Sequence, residues 1–188
     1  MVDRHQIDGL DHFNAAVRQE IHTAANRFRK VLPGAPSEEL TKYGAYLNGV
    51  CTARVLKNGL ISVLCDYGEY VAGAAHPWEI VASINYDTRT NRVITLSDVF
   101  NPGCNYVARL SELSVELLKQ RTELADEETI RNGAGPVERN FQVFTFANDG
   151  LIEHFQQYQV GPGVVPALEV EIPFSKLQPL LRPRYVAR

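Results

Sequence analysis

Apolar residues recur at spacings of three and four between residues 10 and 32, where Leu10, Phe13, Val17, Ile21, Ala24, Phe28 and Val31 make one stripe of an amphipathic helix. Asp8 or Asp11 is placed to cap its start, and Pro33-Gly34 to end it. After a loop rich in Pro, Gly and Ser (33 to 37) the period shortens to two. Strands are expected over about 45 to 56 and 60 to 72, flanking the hairpin signal Lys57-Asn58-Gly59. A two-residue loop would mix polar and apolar groups on one face. A three-residue loop with Gly59 in the left-handed position instead pairs Val55 with Ile61, Ala53 with Val63 and Cys51 with Cys65, giving one apolar face.

Further strands are expected at Trp78 to Tyr86 and Arg92 to Leu96, joined by the polar turn 87 to 91. Val107, Leu110, Leu113, Leu117, Leu118 and Leu124 predict a second amphipathic helix over 106 to 124. Residues 125 to 139 read as a surface connection. A second hairpin follows, with strands at 141 to 146 and 151 to 160 around Ala147-Asn-Asp-Gly150. A last strand, Leu168 to Ile172, leads into a short terminal helix. Hairpins with helices at separate places predict an α+β fold, a largely antiparallel sheet packed with two main helices. No repeat or linker divides residues 1 to 188, so one domain is expected.

Composition narrows the functional classes. With 45% hydrophobic and 22% charged residues the chain has ordinary globular values. A net charge of −3 and scattered basic residues give no footprint for nucleic acid. No apolar run reaches the roughly 18 residues of a membrane span. Met1-Val-Asp-Arg-His lacks the pattern of a signal peptide, as would an expressed mature domain with an added methionine.

Candidate chemistry centres on Tyr70-Val-Ala-Gly-Ala-Ala-His-Pro-Trp78. Gly73 can take positive φ, Pro77 holds His76 out of the helical region, and Trp78 restarts an apolar run. His76 therefore sits at a rigid corner, where its ring is expected to bond backbone groups and fix the turn. An enzyme would use it as acid or base with Asp87 or Asp98, if the turn folds back. Asp87 is otherwise expected to close its own turn, and Asp98 to cap a helix. Ser62 has no nucleophile elbow, and no histidine pair or glycine loop has metal- or phosphate-binding spacing. No cofactor or metal is expected. Glu169 and Glu171 share a strand face, expected to be solvated. Cys51 and Cys65 face one another in the preferred register, either as a disulfide or as two buried thiols. Cys104 has no evident mate. Tyr67, Tyr70, Trp78 and Tyr86 lie near the corner, where some would fill the core and others anchor a partner.

Ile61-Ser-Val, the His76 corner, Asn85-Tyr-Asp87, Ile94 to Phe100, Phe144 to Leu151, Tyr158-Gln-Val-Gly-Pro162 and Val170 to Phe174 follow in an order that resembles a bacterial domain of unknown function. That domain is shared by RsiV-type anti-sigma factors, PdaC-type polysaccharide deacetylases and secreted mycobacterial antigens. The resemblance divides the chain into a helix-and-hairpin region, 1 to 72, and an RsiV C-terminal-like region, 73 to 188. It implies an extracytoplasmic module of the cell envelope, secreted or anchored, that binds or senses a protein such as a lysozyme-like hydrolase, or a cell-wall glycan, without catalysing a reaction. The alternative it leaves is an enzyme acting on cell-wall polymer. Gly73, His76, Pro77, Trp78, Tyr158, Pro162 and Gly163 are the binding residues it implies. The chain departs from the family pattern at Ala74, where a second glycine is usual, and at Gly163 and Pro166 beyond Pro162.

Overall fold

The computed structural model describes residues 10–34, 37–56, 58–121 and 126–186. Asp8, Lys57, Leu124 and the N-terminal pentapeptide lie outside them. The first stripe folds as helix α1 (Asp11–Val31), burying Phe13, Val17 and Ala24. Leu10 occupies its N-cap without a side-chain hydrogen bond, so Asp11 adds only a negative charge to the first turn. A 3₁₀ turn at Leu32–Gly34 ends it, and a short helix, α2 (Ser37–Tyr43), fills the stretch between the expected loop and the first strand.

Strands β1 (Ala45–Val55), β2 (Leu60–Val71), β3 (Trp78–Asp87) and β4 (Arg92–Ile94) form an antiparallel sheet in that order. The register is the one that the three-residue loop requires: Cys51 opposes Cys65, Ala53 opposes Val63 and Val55 opposes Ile61. Gly59 takes φ +79°, where its missing Cβ removes the strain. The apolar face is buried on one strand of the pair only. Ile61, Val63 and Cys65 are buried, whereas Ala53 and Val55 are exposed, because α1 packs across β2, β3 and β4 and only Leu47 and Cys51 of β1 reach the core beneath it, half-buried.

Thr95 and Asp98 form a capping box around the short helix α3 (Leu96–Val99), so Asp98 acts from inside the helix, at its third position. Helix α4 (Tyr106–Leu118) buries Leu110, Leu113 and Leu118. The expected surface connection instead contains α5 (Glu127–Gly133), which buries Ile130, and a 3₁₀ turn at Glu138–Phe141, which buries Phe141. Strands β5 (Phe144–Phe146), β6 (Gly150–Phe155) and β7 (Leu168–Pro173) make a second antiparallel sheet. Two short helices, α6 (Phe174–Leu177) and α7 (Pro183–Val186), close the described chain. The fold is α+β, with two antiparallel sheets rather than one.

There are two cores. One lies between α1 and the first sheet; the other collects α4, α5 and the second sheet, together with Leu56 and Leu60 from the hairpin tip. Side chains stitch the sheets together. The Ser62 hydroxyl donates to Asn85 Oδ1 (2.6 Å) and accepts from the Phe146 amide, while Asn85 Nδ2 donates to the Phe144 carbonyl at 2.7 Å. Ser83 Oγ accepts from the Phe144 amide. The Ser62, Ser83 and Asn85 side chains of this seam thus each have a partner in the second sheet, as buried polar groups require.

Candidate functional site

The β2–β3 corner and the loop after β6 meet although they are 82 residues apart. Gly73 has φ +94°, the left-handed conformation that a side chain would strain. His76 is exposed, and its Nδ1 lies 2.8 Å from the carbonyl oxygen of Pro77. A carbonyl only accepts, so Nδ1 carries the proton; in the neutral ring Nε2 then accepts from the Tyr158 hydroxyl, also at 2.8 Å. The imidazole ties the corner to the distant loop.

Trp78 and Tyr158 lie side by side, ring centroids 5.0 Å apart and 47% and 45% exposed. Tyr158 takes φ +69°, and a Cβ on Gly163 would fall within 2.0 Å of its ring. Gly163 is thus the residue that lets the ring lie down beside the tryptophan. Pro162 and Val164 are exposed around it. Gln157 Oε1 accepts from the Glu79 amide and its Nε2 donates to the Gly163 carbonyl, and Glu79 Oε2 accepts from the Ala167 amide. Gln156 both accepts from Val81 N and donates to Val81 O, as a paired strand would. Gly73, His76, Pro77, Trp78, Tyr158, Pro162 and Gly163 thus belong to one face. Of the other aromatics expected near it, Tyr67 is buried, Tyr70 stacks on Tyr46, and Tyr86 is buried at the far end of β3, away from the corner.

The acid–base cluster of His76 with Asp87 and Asp98 does not form. Asp87 lies at the opposite end of β3 from Trp78, roughly 30 Å along a ten-residue strand. It is buried and closes its own turn by accepting from the Arg89 amide at 2.9 Å. Asp98 accepts from the Thr95 amide and hydroxyl and pairs with Arg92. Burial alone would raise both carboxyls; these bonds outweigh it and hold both below the usual carboxylate range. Neither carboxyl is poised to exchange a proton with His76.

Sequence reasoning missed a second polar chain. Thr145 Oγ1 lies 2.9 Å from His154 Nε2, and His154 Nδ1 lies 3.4 Å from Glu169, an order that resembles nucleophile, base and orienting acid. Thr145 and His154 are both buried. Burial, with help from Arg54, lowers the His154 pKa to about 4; the carboxylate of Glu169 would favour the charged ring but stands mostly in solvent. A cavity of about 420 Å³ lies elsewhere, lined by Ser83, Asn85, Thr95, Ser97, Glu138 and Phe144 among others. Among the described residues no group of three or more His, Cys, Asp or Glu could hold a metal ion, and no helix is long and apolar enough to cross a membrane. Cys51 and Cys65 are joined in a disulfide, and Cys104 is free.

Residues 97–175 match DUF3298, a protein family of unknown function. The DUF3298 match therefore contains Tyr158, Pro162 and Gly163 but stops short of His76 and Trp78. Over 174 residues the chain is 24% identical to peptidoglycan-N-acetylmuramic acid deacetylase PdaC of Bacillus subtilis, and over 108 residues 28% identical to an esterase of Mycobacterium tuberculosis. These alignments take in 92% and 57% of this chain, but only 37% and 47% of those proteins. The expected resemblance to PdaC-type proteins is borne out. Two solved DUF3298 structures share the fold at 19% identity each. The one from Bacteroides fragilis aligns with a TM-score of 0.62 over 89% of this chain and 69% of its own; that from Pseudomonas aeruginosa with 0.54 over 86% and 70%.

Proposed function

We propose that this chain is an extracytoplasmic, non-catalytic binding module of the bacterial cell envelope, and that its exposed Trp78–Tyr158 pair takes up cell-wall glycan. The observation that carries the reading is the pair itself. Two large rings stand out in solvent, yet His76, Gln157 and Gly163 hold them in one geometry. Preorganised aromatic anchors of this kind lower the entropy cost of binding. The negative faces of the rings suit the weakly positive C–H face of a sugar. The name of the Bacillus subtilis relative points to peptidoglycan, and the disulfide suits an oxidising compartment.

Co-sedimentation with insoluble peptidoglycan tests this. Trp78→Ala and Tyr158→Ala are each expected to weaken capture about tenfold, equivalent to about 1.4 kcal/mol, with circular dichroism unchanged. Full capture by the folded double variant would remove the corner from the account. Loss of lysozyme capture in the same variants, with glycan capture intact, would make a protein the partner, as in the RsiV-type resemblance.

The names of the two curated relatives, a deacetylase and an esterase, favour a second reading in which the chain hydrolyses an acyl group on envelope polymer with His76 as base and without Asp87 or Asp98 beside it. Acetate release that vanishes in His76→Ala while glycan capture persists would favour it over binding.

A further inference from the structure

Among the described residues strand β1 pairs on one side only, and no other strand lies along its second side. At its ends the Gly44 carbonyl accepts from the Ala72 amide and the Leu56 amide donates to the Leu60 carbonyl, so the even-numbered residues turn their backbone groups toward β2. Ala45, Leu47, Gly49, Cys51, Ala53 and Val55 therefore aim theirs at solvent. The Cα atoms of Cys51 and Cys65 lie 4.0 Å apart, as in the narrow, non-hydrogen-bonded type of pair that this parity requires. Exposed edges are normally protected by brevity, proline, lysine or a bulge. The far edge of the sheet is short: β4 has 3 residues. β1 has 11, with no proline, no lysine and Arg54 as its single charge. Val50 and Val55 on it are 69% and 71% exposed.

We propose that β1 is the interface of a homodimer, two copies pairing edge to edge and antiparallel about a twofold axis at Val50. The strand's own order selects this occupant. Full overlap of Ala45–Val55 with its copy joins Gly49 to Cys51, Leu47 to Ala53 and Ala45 to Val55 through their outward backbone groups. On the outer face it sets Val50 against Val50, Asn48 against Thr52 and Tyr46 against Arg54. The one charge therefore meets the aromatic face of Tyr46, not its own copy, and exposed Val50, Ala53 and Val55 each meet an apolar neighbour. The contact is isologous and closes, so it yields a dimer and no fibre. The two sheets become one of eight strands, with both α1 helices on the same side. The shallow groove lined by Ile21, Ala25, Leu47, Gly49 and Tyr67 then runs along the seam.

Sedimentation equilibrium with site-resolved amide exchange tests the proposal. The wild type is expected to have twice the 21.0 kDa chain mass, and dilution to the monomer should speed exchange selectively at Leu47, Gly49, Cys51 and Ala53. Val50→Lys places two like charges on the axis; because the side chain is exposed, the variant is expected to stay folded and monomeric, with those four amides fast at all concentrations. A wild type that is monomeric throughout, a Val50→Lys protein that still dimerises, or a dimer whose four amides exchange freely would each overturn the assignment.

Discussion

Glu153 is buried among the aliphatic and aromatic side chains of the second core, on the face of β6 that opposes Phe144 and Val170, and both its carboxyl oxygens lack a partner in the structure. Burial raises its pKa well above the ordinary value, because a bare carboxylate there would be desolvated without compensation. The folded protein keeps a proton that the unfolded chain releases above about pH 4.5, so this group costs stability as pH rises. Glu153→Leu is expected to raise the unfolding free energy at pH 7 by about 1–3 kcal/mol, read as a higher urea midpoint at unchanged slope. Nothing in the sequence announced this residue. Gly150-Leu-Ile-Glu-His-Phe155 alternates in such a way that a glutamate falls on the apolar face, and alternation alone reads that as a flaw in the strand.

At the scale of elements, the β1–β2 hairpin was legible down to its register. Gly59 had to be left-handed, and only one slip aligned Val55, Ala53 and Cys51 with apolar partners. That register sets Cys51 opposite Cys65 but left disulfide and paired thiols both open; the structure joins them, with a sequence separation of 14. Replacing both cysteines by alanine is expected to destabilise the protein by about 3 kcal/mol on the chain-entropy account, measured by denaturant titration against the oxidised wild type. What sequence alone missed were elements whose signals are short. α2 follows a Pro-rich loop and has a single turn's worth of pattern, and α5 hides within a polar stretch because only Ile130 anchors it. The His76 corner was half legible. The turn chemistry at Gly73 and Pro77 was readable from local rules, whereas the bond from His76 to Tyr158 joins positions that no periodicity links. The Gln156-Gln157-Tyr158-Gln159 run was the overlooked signal, since consecutive amides after a strand can satisfy a neighbouring strand's backbone.

For the whole molecule, two neighbours on opposite faces of β6 make opposed contributions to the pH dependence of stability between about pH 5 and 7. His154, held near pKa 4, contributes stability that is complete above about pH 6.5 and lost as pH falls toward 4, up to about 3 kcal/mol. Glu153 has the opposite slope above about pH 4.5. Between these limits the two oppose one another, so the wild-type curve should be flatter than either variant's. Glu153→Leu is expected to lose stability steeply from pH 7 to 5, and His154→Gln to gain it, in urea titrations at the two pH values; parallel curves for all three proteins would remove both groups from the account. The clips that Gln156 and Gln157 place on Val81 and Glu79 bear on the same body from another side. The tyrosine between glutamines is thus moored to a beam of the frame, and a pull there would bear first on the third strand, whose serine and asparagine rivets hold the two sheets together.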